Sequence, residues 1–247
     1  MPESVYFFTL HKCASSLFGA YVLKNLTGLE HVDYADQIYA GHDVGELEFR
    51  ERGCVYGPIR VSTNRKSPVY RTLVGPVTER RFIRDKRAIL LVRDPRDILV
   101  SSYYSFGFSH GDSAHAEIRE QQEVIRGRIQ SGEDLDDFVR RSARAIAKAF
   151  SRLEMVREAC QRSVLLRYED MVENFDGFLA QLQSCVEIEA KVAEGIRERT
   201  RPRDSEDVAS HKRSGRVGGF RDKLRAETIE ALNAEFAGVL PQFGYRE

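Results

Sequence analysis

Long apolar runs are missing from this 247-residue sequence, and so is any surplus of one charge. No stretch is long enough to span a bilayer, and no charged segment precedes an extended apolar core, so neither a transmembrane helix nor a signal peptide is expected. Lys plus Arg and Asp plus Glu both total 38, which argues against general attraction to nucleic acid or to a membrane surface. Cysteine is sparse: Cys13, Cys54, Cys160 and Cys185 lie far apart, and no C-x-x-C or Cys/His spacing suggests zinc. These thiols read as reduced and mostly buried, as in a cytoplasmic protein. Repeats, low-complexity tracts and a clear domain boundary are also missing, so residues 1–247 are read as one soluble, unanchored domain.

The charge that is present is unevenly spread. Basic residues crowd Arg80–Arg96 and Arg197–Arg225, and acids collect in Glu117–Glu123 and Glu133–Asp137. Local cationic pockets in a neutral chain point to a small anionic ligand, although solvated faces produce the same pattern.

Three short apolar runs read as buried parallel strands: VYFFTL (5–10), AILLVR (88–93) and VLLRY (164–168). CVYGPIR (54–60) is a fourth candidate, bulged or ended by Gly57 and Pro58. Helical periodicity is visible over 15–26, 114–129, 134–160, 172–184, 187–199 and 224–237, strongest in the stripe Leu135, Phe138, Ile146, Ala149, Phe150, Leu153 and Val156. Residues 61–80 and 201–219 read as long loops. The alternation predicts an α/β fold: one three-layer domain, a central, mostly parallel sheet, and helices on both faces. Ligands of such sheets sit beyond the carboxyl ends of the strands. The polar turns at 11–16, 93–97 and 168–170 should therefore converge.

The first of these turns, HKCASS (11–16), runs from strand directly into helix. Free N–H groups and the helix dipole make such a junction an anion site, with Lys12 adding a charge and Ser15 and Ser16 adding hydroxyls. A serine-capped helix beside a chance lysine is the competing reading. The turn lacks glycine and the G-K-[ST] order, which disfavours a Walker A loop. No arginine follows Cys13 closely, which disfavours a cysteine phosphatase.

The stretch ILLVRDPRDILVSSYYSF (89–106) is more specific. It resembles the 3′-phosphate motif of sulfotransferases that use 3′-phosphoadenosine 5′-phosphosulfate (PAPS), an apolar strand followed by R-[ND]-P-[KR]-D and V-S-x-Y. Arg93, Asp94, Pro95, Arg96, Asp97, Val100, Ser101 and Tyr103 match in register. The opening turn is then similar to the family's 5′-phosphosulfate loop, P-K-[ST]-G-[ST]-[TS]. His11, Cys13 and Ala14 depart from that pattern, and Leu17 stands where many members carry tryptophan. LLRYEDM (165–171) resembles the family's Y-E-D-[LM] strand end. KRSGRVGGFRDKL (212–224) resembles its C-terminal R-K-G-x-x-G-x-W-[KR] loop, with Ser214 in place of lysine, Gly219 of aspartate and Phe220 of tryptophan.

The resemblance implies a P-loop-NTPase-like fold and sulfuryl transfer from PAPS to a hydroxyl or amine of a small-molecule or carbohydrate acceptor. The product is 3′,5′-ADP, and no metal is required. It implies Lys12 as the catalytic cation. Nucleotide contacts fall on His11, Lys12, Cys13, Ala14, Ser15, Ser16, Leu17, Arg93, Ser101, Tyr168, Arg213, Ser214 and Gly215. The general base is not fixed by any motif, because the run matching the family's histidine-bearing strand, CVYGPIR, has no histidine. His110 is the first candidate and His42 the alternative, with Asp33, Asp36 and Glu46 behind them. The aromatic cluster Tyr103, Tyr104, Phe106 and Phe108 reads either as acceptor pocket or as core. A P-loop-like small-molecule kinase and a non-catalytic nucleotide-binding module are the rival functions.

Overall fold

The computed structural model describes residues 1–201 and 215–246. Five strands, β1 (Val5–Thr9), β2 (Glu30–Val32), β3 (Cys54–Arg60), β4 (Arg87–Val92) and β5 (Arg162–Arg167), form one sheet in the order β2-β3-β1-β4-β5. Every neighbouring pair is parallel. β1 and β4 are apolar on consecutive positions because helices cover both of their faces, and all of Val5–Thr9 and Ala88–Val92 are buried. The β1–β3 register shifts between Tyr6 and Phe8, opposite Gly57. A Cβ at Gly57 would stand 2.6 Å from the Phe7 carbonyl oxygen, and its φ is +140°, so only glycine fits this close approach.

Helices Pro95–Tyr104, Leu135–Ala159 and Ala226–Phe236 pack together as one layer. The long middle helix is capped by Asp134, whose carboxylate accepts the Asp137 N–H at 2.8 Å, and it buries Phe138, Phe150, Leu153 and Val156. The helical stretch Ser15–Asn25, Phe175–Gln183 and Ala190–Thr200 belong to another group. Phe18 stacks on Phe7 of β1 at 4.5 Å and meets Phe178 edge-on, and a Cβ on Gly195 would collide with the Tyr21 hydroxyl.

Three sequence expectations need correction. Residues 61–80 are not a structureless loop, since Tyr70–Val74 and Gly75–Val77 are helical. β2 and the short helix Tyr34–Tyr39 carry too few residues to show a period, and neither was anticipated. The helix expected over 15–26 is irregular: an α-turn Ser15–Leu17, a π-turn Phe18–Val22 and a 3₁₀ turn Leu23–Asn25.

Candidate active site

Parallel strands bring all their carboxyl ends to one edge of the sheet. In sheet order that edge carries Asp33 after β2, Arg60 closing β3, turn 10–14 after β1, Arg93 and Asp94 after β4, and Tyr168 and Glu169 after β5. Three turns read from the sequence as converging do so.

The turn after β1 is tightly wound. Lys12 and Ala14 lie in the left-handed region, with φ of 67° and 57°. A side chain with Cβ costs about 1–2 kcal/mol there. Neither Ser15 nor Ser16 caps the helix, since the cap position is Ala14 and no side chain bonds its N–H groups. Ser15 is instead buried, its hydroxyl accepting from Arg60 Nε at 3.1 Å. Lys12 Nζ reaches across to donate to Ser105 Oγ at 2.9 Å. Ser16 is exposed and Leu17 half-buried against the core. Cys13 points into the core; burial pushes its thiol pKa up to about 12, so it is inert. Desolvation, then the neighbouring Arg60, His110 and Lys12, lower the pKa of the His11 imidazole, whose residue is exposed.

The β4 turn begins with a built cap. Asp94 accepts the Arg96 N–H at 2.9 Å, and Pro95 takes the first helical position. Arg96 is almost wholly buried and serves structure. Its guanidinium grips Asp94 through Nε at 3.0 Å and Nη2 at 2.7 Å, donates to Asn233 and the Arg246 carbonyl, and lies over the Phe220 ring. Arg93 differs. Its Nη1 donates to the Lys12 carbonyl at 3.3 Å and its Nη2 to the Arg216 carbonyl at 3.2 Å. Its guanidinium lies 4.4 Å from the Tyr168 ring centre, and its buried Nε has no hydrogen-bond partner. Burial works against the charge, but Asp97, Tyr168 and Glu169 outweigh it and raise the pKa.

Asp97 latches the C-terminal loop onto this turn. Its two carboxylate oxygens accept the Gly218 N–H at 2.8 Å and the Phe220 N–H at 3.0 Å. Tyr168 donates to the Gly215 carbonyl at 2.9 Å. Glu169 is buried behind, accepting the Asp94 N–H at 2.9 Å and the Tyr245 hydroxyl at 2.9 Å. Arg93, Tyr168 and Gly215 therefore meet as the sequence predicts, while Arg213 and Ser214 lie outside the described residues. Ser101 sits half-buried at the end of the second turn of helix Pro95–Tyr104, with no side-chain hydrogen bond to Arg93.

On the β3 side, the segment Ser105–Ser109 connects two candidates. Ser105 holds Lys12 through its hydroxyl and accepts the His110 N–H on its carbonyl at 2.7 Å. His110 Nε2 lies 2.9 Å from the Tyr39 hydroxyl, and its ring meets Phe106 edge-on. His42 is exposed and bonded through its backbone N–H to the Gln37 carbonyl. Asp36 and Glu46 are exposed as well. Asp33 caps helix Tyr34–Tyr39; burial raises its pKa against the opposing pull of the Asp36 N–H and Arg60. The aromatic cluster divides: Tyr103 packs on Phe138 in the core, Phe108 is exposed, and Phe106 faces His110.

Sequence reasoning passed over Arg60, Ser105, Tyr39 and the latch of Asp97. Arg60 closed a strand inspected only for histidine. Ser105 and Tyr39 carry no local signal, since each matters through a partner distant in the chain.

The site and sheet define a class: a parallel α/β protein with a cationic edge built around Lys12 and Arg93. The model of the sulfotransferase domain matches residues 76–244, more than half of the chain, so the protein belongs to that family and is an enzyme of sulfuryl transfer. The match includes Arg93, Ser101, Tyr168 and Gly215 and begins after the Lys12 turn. No curated protein sequence matches the chain. Among solved structures, mouse sulfotransferase SULT7A1 complexed with PAP superposes with a TM-score of 0.59 at 11% identity, covering 96% of this chain and 84% of that one. Retinol dehydratase with androsterone and inactive cofactor PAP gives 0.56 at 13% identity, covering 99% of this chain and 82% of that one. Retinol dehydratase with retinol and PAP gives 0.53 at 12% identity, covering 100% and 83%. At such identities these likenesses establish the fold. Among the described residues no helix is long and apolar enough to cross a membrane, and no cluster of His, Cys, Asp and Glu is arranged to hold a metal.

Proposed function

We propose that this protein transfers the sulfuryl group of PAPS to a hydroxyl or amine of a small-molecule or carbohydrate acceptor, releasing 3′,5′-ADP. One observation carries the reading: a single guanidinium, that of Arg93, bonds the Lys12 turn and the C-terminal loop at once, so two segments distant in sequence, each resembling a phosphate-binding motif, are held side by side. The donor set fits a nucleotide with phosphates at both ends. Lys12, Ser15, Ser16 and Arg60 supply the 5′ end. Arg93, with its buried unpartnered Nε, supplies the 3′ end together with Ser101, Arg213, Ser214 and Gly215. Tyr168 borders the pocket between them. The PAP in the three similar structures supports this choice of nucleotide, and their androsterone and retinol support a small-molecule acceptor.

In the transfer, the acceptor oxygen or nitrogen bonds to sulfur and the bond from sulfur to the bridging 5′-phosphate oxygen breaks. That oxygen keeps the electron pair and leaves on 3′,5′-ADP. Lys12 is the cation placed to neutralise it, held in position by Ser105. The acceptor proton passes to a base, and His110 is our assignment because it shares the Ser105 frame with Lys12; exposed His42 is the weaker alternative. Residues 1–247 act as one domain in this reading, and four buried, unpaired cysteines suit a cytoplasmic setting.

Thermal melting tests the nucleotide. At a hundredfold excess over Kd, 3′,5′-ADP should add about 2.7 kcal/mol of stability, and ATP with magnesium far less. Stabilisation by ATP with none by 3′,5′-ADP overturns the reading.

A further inference from the structure

Two guanidiniums flank the turn after β1, and the protein uses them differently. Sheet order puts β3 on one side of β1 and β4 on the other, so Arg60 and Arg93 stand on opposite sides of the Lys12 turn. Arg93 commits each of its Nη groups to a backbone carbonyl. Arg60 does not. Its Nε donates to Ser15 Oγ at 3.1 Å, and among the described residues neither of its Nη groups has a hydrogen-bond or ion-pair partner. Its charge is felt by His11, Asp33 and Tyr39, so the half-buried side chain reaches the cleft between the Lys12 turn and helix Tyr34–Tyr39. A guanidinium tied down at Nε, with its outer edge unoccupied, is a preformed fork for two oxygens of one anion. Ser15 adds to this: a hydroxyl that accepts from Arg60 still has its own proton to donate.

We propose that Arg60 is a catalytic residue for sulfuryl transfer: its two Nη groups bond non-bridging oxygens of the sulfuryl group of PAPS and orient the sulfur for attack. The proposal rests on the reading of this pocket as a PAPS site. With the 3′-phosphate at Arg93 on the β4 side and the 5′-phosphate at the Lys12 turn, the sulfuryl group lies beyond the 5′-phosphate, on the β3 side. That is the side from which Arg60 projects. Ser15 joins the two subsites, accepting from Arg60 and donating to a 5′-phosphate oxygen. In the transfer the acceptor atom bonds to sulfur, and the bridging oxygen leaves with the electron pair of the broken bond. The non-bridging oxygens stay on sulfur. A fork on two of them keeps the face opposite the bridging oxygen open to the acceptor. It also offsets the negative charge that would repel an incoming nucleophile. Arginine stays protonated throughout, so it takes no proton and the base remains a separate residue.

Calorimetric titration isolates the sulfuryl group, because 3′,5′-ADP is PAPS without it. In Arg60→Met the Kd of 3′,5′-ADP should stay within about threefold of wild type, while that of PAPS, titrated without acceptor, rises at least about tenfold. Steady-state assays should show kcat lowered about 10- to 100-fold. Arg60→Lys keeps the charge and the stem but loses the fork, so it should bind PAPS more tightly than Arg60→Met with kcat still depressed. Affinity for the two nucleotides falling by the same factor in both variants, as a role at the 5′-phosphate or in the fold would give, overturns the proposal. So does wild-type kcat in Arg60→Met. The PAPS reading fails separately: a wild-type protein that binds neither PAPS nor 3′,5′-ADP removes it, and Arg60's role with it.

Discussion

Replacing Asp97 with asparagine tests the latch that holds the C-terminal loop and, with it, the proposed nucleotide site. In the native protein both Asp97 oxygens accept backbone N–H groups, from Gly218 and Phe220, and one lies 3.6 Å from the Arg93 guanidinium. Asparagine has nearly the same shape but only one accepting oxygen. Its NH₂ must face one of the two backbone donors, so one bond is lost and a buried N–H is stranded. A hydrogen bond to a charged acceptor is worth about 1.5–3 kcal/mol, and an unsatisfied buried donor costs about 1–3 kcal/mol. These overlap, so we take about 2–4 kcal/mol against the docked loop. At about 1.4 kcal/mol per decade this is roughly 30- to 1,000-fold in the ratio of docked to undocked loop. Part of that is absorbed by whatever surplus holds the loop in place, so 3′,5′-ADP affinity should fall at least about tenfold. Calorimetric titration of Asp97→Asn with 3′,5′-ADP measures this directly, with Asp176→Asn, an exposed partner of Arg197, as control. Unchanged affinity in Asp97→Asn would refute the claim that the loop from Gly215 to Phe220 completes the nucleotide site.

Three further predictions follow from the same geometry. Lys12→Ala should lower kcat by about 10²–10³, the range seen when one preorganised charge-stabilising donor is removed, with a much smaller change in 3′,5′-ADP affinity; a large affinity loss at unchanged kcat would contradict its role. Ala14→Gly relieves a left-handed side chain at a cost in unfolded-chain entropy, so denaturant melts should show a gain of about 0–1 kcal/mol and no loss. Burial raises the pKa of Glu169 above its ordinary 4.5, so the folded state holds that proton more tightly than the unfolded chain. Its contribution is fully present below about pH 4.5 and is lost as pH rises through the folded value. Glu169→Gln should remove that slope from stability measured against pH, and an unaltered slope would show the carboxyl to be unperturbed.

Much of this arrangement was legible in the chain. β1, β4 and β5 announce themselves as apolar runs, and the polar residues that close them form the edge where Lys12, Arg93 and Tyr168 meet. What escaped did so for physical reasons. β2 has three residues and little burial, too short for any period. The helix at Ser15–Asn25 keeps its buried face while its hydrogen bonding shifts between π and 3₁₀ turns, which periodicity does not report. Arg60, Ser105 and Asp97 take their meaning from partners 45, 93 and at least 121 residues away. Local sequence shows such groups as single polar residues. The aromatic run at 103–108 shows the reverse, since one continuous motif divides among core, surface and cleft.

The central claim is tested most directly by offering the enzyme both possible donors at once. Sulfur-labelled PAPS and γ-phosphate-labelled ATP with magnesium are incubated with a pool of phenols, alcohols, amines and sugars, and label in the acceptors is counted. The account predicts sulfur label in product, formed with 3′,5′-ADP and abolished in Lys12→Ala. Phosphate label in product, with none from sulfur, would contradict it.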